Sequence, residues 1–590
     1  MFRQITDPIA GSLVLSALCA ALPLVLLFVL IGGFRVKAPK AALASLILSI
    51  VLAVVGWKMP IGQALSGTAE GIAFGLFPIL WILVNALWVY RLTVATPWFE
   101  VMGQTIRSIS RDHRVLAILI AFGFGALLEA LAGFGAPVAI AAAMLIAAGM
   151  KPLKSAMVAL VANTAPVAFG AMGAPIIALA GVTGLSQDTL AKMAGRQGII
   201  ALVVPLVLVY IVDGRRGLKQ TWPVALVAGV VFSLSQFVAS NYMAFALTDV
   251  IAAVFTVAAV MGMLRFWQPA ETISSTEAED SAQVTVAPAG ATSGAAGASG
   301  STGGSPARYS ASRSVTEAVA GAATARGGNT PDVPAAEDNT RPSGRHILMA
   351  TAPYLIIIAV FSIAQIPAVK DWLTANGSYV IKRWPGLYVL TTSGKPPSAM
   401  KFTFDHIKGI GTMLFISGLA TMALYKVSAA KGLRIYKEGI YALRWTIVTV
   451  CLMLALAYVM NLSGQTTTLG VALAATGGLF AVLSPVIGWI GTALTGSDTS
   501  SNALFGQLQV SAAHQSGLSP VLMAVSNSTS GALGKMVSLQ NLAVAAAAAS
   551  LAGGENILFR KMLWPSLALL ALLAGFIFLQ STSILGWMVP

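Results

Sequence analysis

The sequence predicts an all-α polytopic membrane protein with two inverted-repeat-like halves, each containing a broken or re-entrant hairpin segment. Of its 590 residues, 57% are hydrophobic and only 10% are charged, and the mean hydropathy is +0.82. Soluble proteins have about 25% charged residues, so most of this chain must lie in lipid. Apolar runs near the length of a spanning helix, about 20 residues, recur on both sides of one polar stretch.

The N-terminal membrane half is predicted to cover residues 1–267. Its first apolar run, Leu13 to Gly32, is too long for the core of a signal peptide and predicts a retained span. The basic stretch 91–114 predicts an interfacial amphipathic helix. As one helix, residues 115–150 would extend about 54 Å, against a hydrocarbon core of about 30 Å. The chain must therefore turn, and broken segments are expected across 115–182.

The composition changes completely across residues 268–344. Ala, Gly, Ser, Thr and Pro dominate this stretch and large apolar residues are few. Such a segment cannot bury enough surface to order itself, so it predicts a disordered cytoplasmic linker. The C-terminal membrane half is expected at 345–590, with an extracytoplasmic loop at 370–405 and a broken segment at 495–540.

The net charge of +15 could suggest a nucleic-acid-binding protein. The excess Lys and Arg, however, lie in short loops such as Arg35–Lys40 and Arg215–Lys219, as the positive-inside rule predicts. These loops are therefore assigned to the cytoplasm and both termini to the opposite side. Cys19 and Cys451 lie in apolar runs, and neither a disulfide framework nor a metal site is expected.

Glycine, proline and small polar residues interrupt the apolar sequence in both halves, at 128–175 and at 496–535. Backbone that leaves the helical form inside a bilayer is tolerated only where protein or a water-filled cavity satisfies it. Asn163 to Gly170 and Asn527 to Gly534 share a seven-residue spacing, which indicates a weak internal repeat. Paired interruptions of this kind indicate the binding site of a transporter.

Glu129 and Asp498 are the candidates for a group that binds and releases a coupled proton. Glu129 lies in an apolar run, where a carboxylate costs about 2.5–3.5 kcal/mol even on the gentler insertion scales. The alternative is a neutral or ion-paired glutamate with a structural role. Asp498 lies in a dense run of side-chain oxygens, which could instead only cap a helix.

Residues at the interruptions are the candidates for substrate binding. Their small size, hydroxyl groups or amide groups suit an anionic or hydroxylated ligand: Gly133, Gly135, Asn163, Thr164, Ser497, Thr499, Ser500, Ser501, Asn502, Asn527 and Ser528. Lys535 and Arg196 are the candidate cations, although Arg196 could equally extend its side chain toward the membrane interface. The four histidines lack metal-ligand spacing, and no cofactor is expected.

At these same residues the chain resembles the bacterial lactate permease family. The matching blocks are Glu129–Ile140, Asn163–Pro175, Met193–Gln197, Leu494–Gly506 and Gly534-Lys535-Met536. The resemblance implies proton-coupled uptake of lactate, glycolate and related 2-hydroxymonocarboxylates across the bacterial inner membrane. The insert near 268–344 is longer than expected for the family, and Ser538-Leu539-Gln540 stands where the family tends to have Ser-Pro-Gln.

The sequence thus favours a proton-coupled symporter whose binding site lies where the interrupted segments meet. By analogy with transporters built on paired hairpins, an elevator movement is expected. One alternative is a sodium-coupled carrier of another small organic anion, with free carbonyls and hydroxyls as ion ligands. An intramembrane enzyme built on Asp498 would need a histidine or metal partner, which the sequence does not offer.

Overall fold

A computed structural model of the chain describes residues 1–133, 135–273, 343–551 and 553–590, and it is largely helical. Within these residues, nine helices are long and apolar enough to cross a membrane, or ten if a bent pair is one span. The predicted all-α polytopic fold is confirmed. The predicted linker, 268–344, lies outside the described residues except at 268–273 and 343–344.

The described helices of the N-terminal half are, in chain order, α1 (Leu13–Phe28), α2 (Ala38–Val55), α3 (Ile61–Phe74), α4 (Trp81–Val94), α5 (Trp98–Arg107), α6 (His113–Leu116), α7 (Gly125–Leu131), α8 (Ala136–Ala147), α9 (Pro152–Ala162), α10 (Ala174–Thr183), α11 (Gln187–Arg196), α12 (Ile199–Tyr242) and α13 (Thr248–Met263). Wider π-helical turns continue α1, α3 and α6 at Val29–Gly33, Gly75–Leu80 and Ala117–Phe124. Gly214 kinks α12 near its middle.

The described helices of the C-terminal half are α14 (Gly344–Ala364), α15 (Pro367–Asn376), α16 (Ile410–Leu424), α17 (Ala429–Ser463), α18 (Gln465–Ala474), α19 (Phe480–Thr495), α20 (Asp498–Ser516), α21 (Pro520–Lys535), α22 (Leu539–Ala548) and α23 (Glu555–Gln580). Four short strands accompany them, β1 (Phe2–Arg3), β2 (Tyr379–Ile381), β3 (Val389–Leu390) and β4 (Phe402–Phe404).

The loop predicted at 370–405 is folded. Strands β2 and β4 pair in antiparallel fashion within it, and β3 pairs in parallel with β1 at the N-terminus. The N-terminus therefore lies beside this loop.

The basic stretch predicted as an interfacial helix, 91–114, differs in the structure. Trp98–Arg107 forms the short helix α5, Arg91 belongs to α4, and His113 and Arg114 begin α6. Arg114 is fully buried and forms ion pairs with Asp112 at 2.7 Å and Asp213 at 3.1 Å. It also donates to the backbone carbonyl of Glu271 at 2.6 Å, inside the predicted linker. A partner this distant in the chain leaves no local signal in the sequence.

The first half contains a hairpin followed by a broken helix. The hairpin turns between α7 and α8, where Gly133 and Gly135 have φ values of +49° and +88°, at the predicted break. Helices α9 and α10 are separated at 163–173, where Gly170, Met172 and Gly173 also have positive φ. Two ends of helical backbone are thereby placed in the protein interior.

The second half repeats this order with breaks at different places. Helices α19 and α20 form a hairpin that turns at Gly496, with φ +75°. Helices α21 and α22 are separated at 536–538. In addition, α8 packs against α22 and α20 packs against α10, so each hairpin contacts the broken helix of the other half.

The polar stretch after Asn527 differs from the expected interruption, because it is helical throughout α21. Thr529 and Ser530 donate their hydroxyls to the carbonyls of Val525 at 3.1 Å and Ser526 at 2.6 Å, four residues earlier. Small polar residues that bond to their own helix in this way can remain helical. The seven-residue spacing shared with Asn163–Gly170 therefore does not reflect the same backbone conformation.

Candidate functional site

The interrupted segments of the two halves meet around one buried cavity of about 30 Å³, which is room for about two water molecules. Glu129, Gly133 and the 167–175 stretch line it from the first half. Residues 496–499 and Lys535 line it from the second half. The site thus lies between the hairpin turns and the helix breaks.

A buried ion pair joins the two halves at this cavity. The Lys535 ammonium at the end of α21 lies 2.6 Å from Oε1 of Glu129 in α7, and both side chains are almost fully buried. Glu129 Oε2 has no hydrogen-bond partner among the described residues. Lys535 is the one cationic side chain among the described residues that line the cavity. Such a pair is costly to desolvate and stays stable only while both partners remain together.

Asp498 lies in the first turn of α20 and accepts three hydrogen bonds. Ser528 donates to Oδ2 at 2.6 Å, and the Asn502 amide donates to the same oxygen at 3.3 Å. Thr492 donates to Oδ1 at 3.3 Å. Because Ser528 belongs to α21, Asp498 does more than cap its own helix.

Two helix N-termini face the cavity. Helix α10 begins at Ala174, and α20 begins after Ser497, whose hydroxyl accepts a hydrogen bond from the Ser500 backbone at 3.3 Å. Each helix N-terminus has a positive partial charge of about half an electron and backbone N–H groups without helical partners. Together with Lys535 they make the cavity suited to an anion.

Three further candidates support this arrangement without lining the cavity. Asn502 donates to the Pro175 carbonyl at 3.1 Å across the two halves, and Asn527 donates to Asn502 Oδ1 at 2.9 Å. Ser501 donates to the Gly488 carbonyl at 3.4 Å. Of the predicted hydroxyl residues, Ser497 and Thr499 are the ones that line the cavity.

The remaining candidates lie elsewhere. Thr164 follows the end of α9, lines a second cavity and donates to the Val161 carbonyl, 2.7 Å away. Asn163 is buried, with no side-chain partner among the described residues. Gly135 faces Asn541 of α22. Arg196 bonds to Asn241 at 3.1 Å and to the Met588 carbonyl at 2.8 Å, and it is not part of either cavity lining.

The sequence reasoning missed a second buried carboxyl group near Glu129. Asp249, in the first turn of α13, is 2% exposed and accepts a hydrogen bond from Gln236 at 3.0 Å. Its helix, α13, packs against α7, which contains Glu129. The signal was present, because Asp249 stands in an apolar run just as Glu129 does. Glu70 is also fully buried, but it lies in α3 against α17.

Helix ends and a buried ion pair around a cavity between two interrupted halves are typical of membrane transport proteins. This chain belongs to the L-lactate permease family, whose model matches residues 16–297 and 327–584. The unmatched stretch between these ranges falls inside the predicted linker. The resemblance seen in the sequence blocks is confirmed, and the protein is a permease and not an enzyme.

Named relatives match over nearly the whole chain. The chain is 37% identical to the L-lactate permease of Bacillus subtilis (strain 168) over 608 residues, covering 100% of both chains. It is 37% identical to the glycolate permease of Escherichia coli (strain K12) over 590 residues, covering 98% of both. It is 33% identical to the L-lactate permease of Escherichia coli (strain K12), covering 100% of both.

The position of Asp498 depends on Gly531, which gives a first test of the site. A Cβ atom on Gly531 would lie 2.2 Å from Asp498 Oδ1 and 2.5 Å from Thr492 Oγ1. We expect Gly531→Ala to displace Asp498 and to lower the transport rate at least tenfold, measured in reconstituted vesicles. Gly575→Ala is the matched control, since nothing lies within 4 Å of its Cβ position. Equal rates for the two variants would contradict a role for Asp498.

Proposed function

We propose that this protein takes up lactate, glycolate and related 2-hydroxymonocarboxylates across the bacterial inner membrane, driven by the proton gradient. The observation that supports this most directly is the Lys535–Glu129 pair, buried in a cavity between the two halves. The relatives, an L-lactate permease and a glycolate permease, support the substrate class.

The substrate carboxylate is proposed to bind Lys535 and the N-termini of α10 and α20. The 2-hydroxyl group then has Ser497 and Thr499 within the same lining. The cavity has room for about two water molecules, and the site is proposed to open in order to load lactate. The hairpins and broken helices are the elements proposed to move, as an inverted repeat in an elevator-type transporter.

Competition for one ammonium group is the proposed basis of proton coupling. In the structure the Lys535 ammonium group donates a hydrogen bond to Glu129 Oε1. A substrate carboxylate needs this same ammonium group. A proton on Glu129 removes its negative charge and weakens the pair. Lys535 then becomes available to the anion, and the loaded site has the same net charge as the empty one. Proton and anion therefore bind together.

The orientation is proposed from the loop charges. Basic loops such as Arg35–Lys40 and Arg215–Lys219 place one side in the cytoplasm, together with the predicted linker 268–344. Both termini then lie outside. The pairing of β1 with β3 agrees with this, because it holds the N-terminus against the loop assigned to the same side.

Purified protein in liposomes provides the test. An inwardly directed proton gradient is expected to drive accumulation of labelled lactate, and a protonophore is expected to abolish it. Replacing sodium with potassium is expected to leave the rate unchanged. Glycolate should compete with lactate better than propionate, which lacks the hydroxyl group.

Protein-free liposomes are the control for passive leak of the protonated acid. If uptake follows a sodium gradient after the proton gradient is collapsed, the chain is a sodium-coupled carrier instead. If neither gradient drives lactate or glycolate uptake, the proposed function is wrong.

A further inference from the structure

We infer that Asp249 is a second proton-carrying residue, which passes a proton to Glu129 and is itself supplied through a separate small cavity. This inference rests on the proposed proton coupling at Glu129. It gives α13 a role in transport in addition to that of the Lys535–Glu129 ion pair.

In each of the two carboxyl groups one oxygen accepts a hydrogen bond from a described residue and the other does not. Asp249 Oδ1 accepts a hydrogen bond from the Gln236 amide at 3.0 Å, and Glu129 Oε1 accepts one from Lys535 at 2.6 Å. The second oxygens, Asp249 Oδ2 and Glu129 Oε2, are buried and have no partner among the described residues. Helix α13 packs on α7, the helix that contains Glu129.

No cation among the described residues balances Asp249. The elements packed on α13 are α7, α12, the π-helical turn Ala117–Phe124 and the short turns Ala171–Gly173 and Phe245–Leu247. Glu129 is the charged residue of α7. The basic residues in the middle of α12 end at Lys219, which is 17 residues or about 25 Å along that helix from Gln236.

If all the carboxyl groups of the buried site were ionised, their negative charges would exceed the positive charge there. Glu129, Asp249 and Asp498 are three carboxyl groups, and Lys535 is one ammonium group. An unpaired carboxylate in a dry interior is strongly unfavourable, so such a group is neutralised by a proton. Asp249 has one side-chain hydrogen bond, from a neutral amide, whereas Asp498 has three and Glu129 is paired with an ammonium group.

A second cavity gives this proton a route that bypasses Lys535. It has a volume of about 20 Å³, room for one water molecule, and Gln236 lies in its lining with Gln197, Thr164 and Thr529. The segment between α9 and α10, residues 163–173, separates this cavity from the first. Ala165 and Ala168 line the second cavity, and Val167 and Gly170 line the first. Gln236 thus lies between this water-sized space and Asp249, to which it donates a hydrogen bond.

The proposed step is a simple proton transfer. The O–H bond on Asp249 breaks and an O–H bond forms on the free oxygen of Glu129. The negative charge moves to Asp249, where the Gln236 amide stabilises it. Neutral Glu129 releases Lys535 for the substrate, and Asp249 regains a proton from the second cavity. No electrons are transferred.

Asp249→Asn in proteoliposomes tests the inference. We expect proton-driven lactate accumulation and lactate-coupled proton influx, measured with an entrapped pH dye, to fall at least tenfold. Lactate–lactate exchange, which needs no net proton transfer, should stay within about threefold of the unmodified protein. Glu70→Gln is the matched control, because it neutralises another fully buried carboxyl group that has no hydrogen-bond partner among the described residues.

Gln236→Met is the second variant, and it tests the role of Asp249 if Asp249→Asn does not fold. It removes the hydrogen-bond donor but keeps the carboxyl group, so the curve of uptake against pH should shift by at least half a pH unit. Full accumulation by Asp249→Asn, an equal loss of exchange and accumulation, or an unshifted curve for Gln236→Met would overturn the inference. Absence of proton-driven uptake in the unmodified protein would instead overturn the proposed function.

Discussion

Replacing Lys535 by methionine is expected to abolish lactate uptake and to destabilise the protein. Methionine has nearly the same shape but no charge, so Glu129 loses its partner at 2.6 Å while remaining buried. Breaking a buried pair from one side costs about 3–5 kcal/mol. Uptake into proteoliposomes should fall to the level of protein-free vesicles, and the melting temperature in detergent should fall by several degrees.

The double variant Glu129→Gln with Lys535→Met separates binding from stability. With both charges removed, no buried ion is left unpaired, so the melting temperature should recover most of the loss. Lactate uptake should not recover, because the substrate carboxylate still lacks its ammonium partner. Substantial uptake by Lys535→Met alone would show that the anion binds elsewhere.

Replacing Glu129 by glutamine is expected to uncouple transport from the proton gradient. The amide cannot take up a proton, and it competes weakly with a substrate carboxylate for Lys535. Gradient-driven accumulation of lactate should disappear, while lactate–lactate exchange continues. The apparent affinity for lactate in exchange should also become nearly independent of pH, measured between pH 5.5 and 8.

Glu100→Gln is the matched control for this change. Glu100 is two-thirds exposed and pairs with Arg107 on α5, so its substitution should leave accumulation and exchange unaltered. Unchanged accumulation in Glu129→Gln would remove Glu129 from the proton path and would leave Asp498 as the other coupling candidate.

The sequence predicts the apolar helices and the turn of the first hairpin, because both depend on local composition. The turn at Gly133–Gly135 and the cap at Ser497 follow from glycine, proline and serine in apolar runs. Glu129 and Lys535 are also predictable as rare charges in apolar surroundings. Their pairing cannot be predicted, because the residues are 406 positions apart and no local feature of the sequence identifies either partner.

The differences between sequence and structure have the same physical origin. Arg114 looks like an interfacial residue until Asp112, Asp213 and Glu271 are seen around it. The stretch from Asn527 to Lys535 looks like a break, but its hydroxyls bond to the helix carbonyls and keep it regular. In both cases tertiary or side-chain partners decide the conformation, and residue type alone does not.

The distance along the chain between Glu129 and Lys535 has a consequence for biogenesis. Ribosomes add about 5–20 residues per second, so roughly 20–80 s separate the synthesis of the two partners. Throughout that interval Glu129 is in the membrane without its ammonium group, and α8 and α10 lack the helices of the other half that they pack against. The N-terminal half is therefore an incomplete folding unit during insertion, and release from the insertion machinery before synthesis ends would expose an unpaired acidic group to lipid.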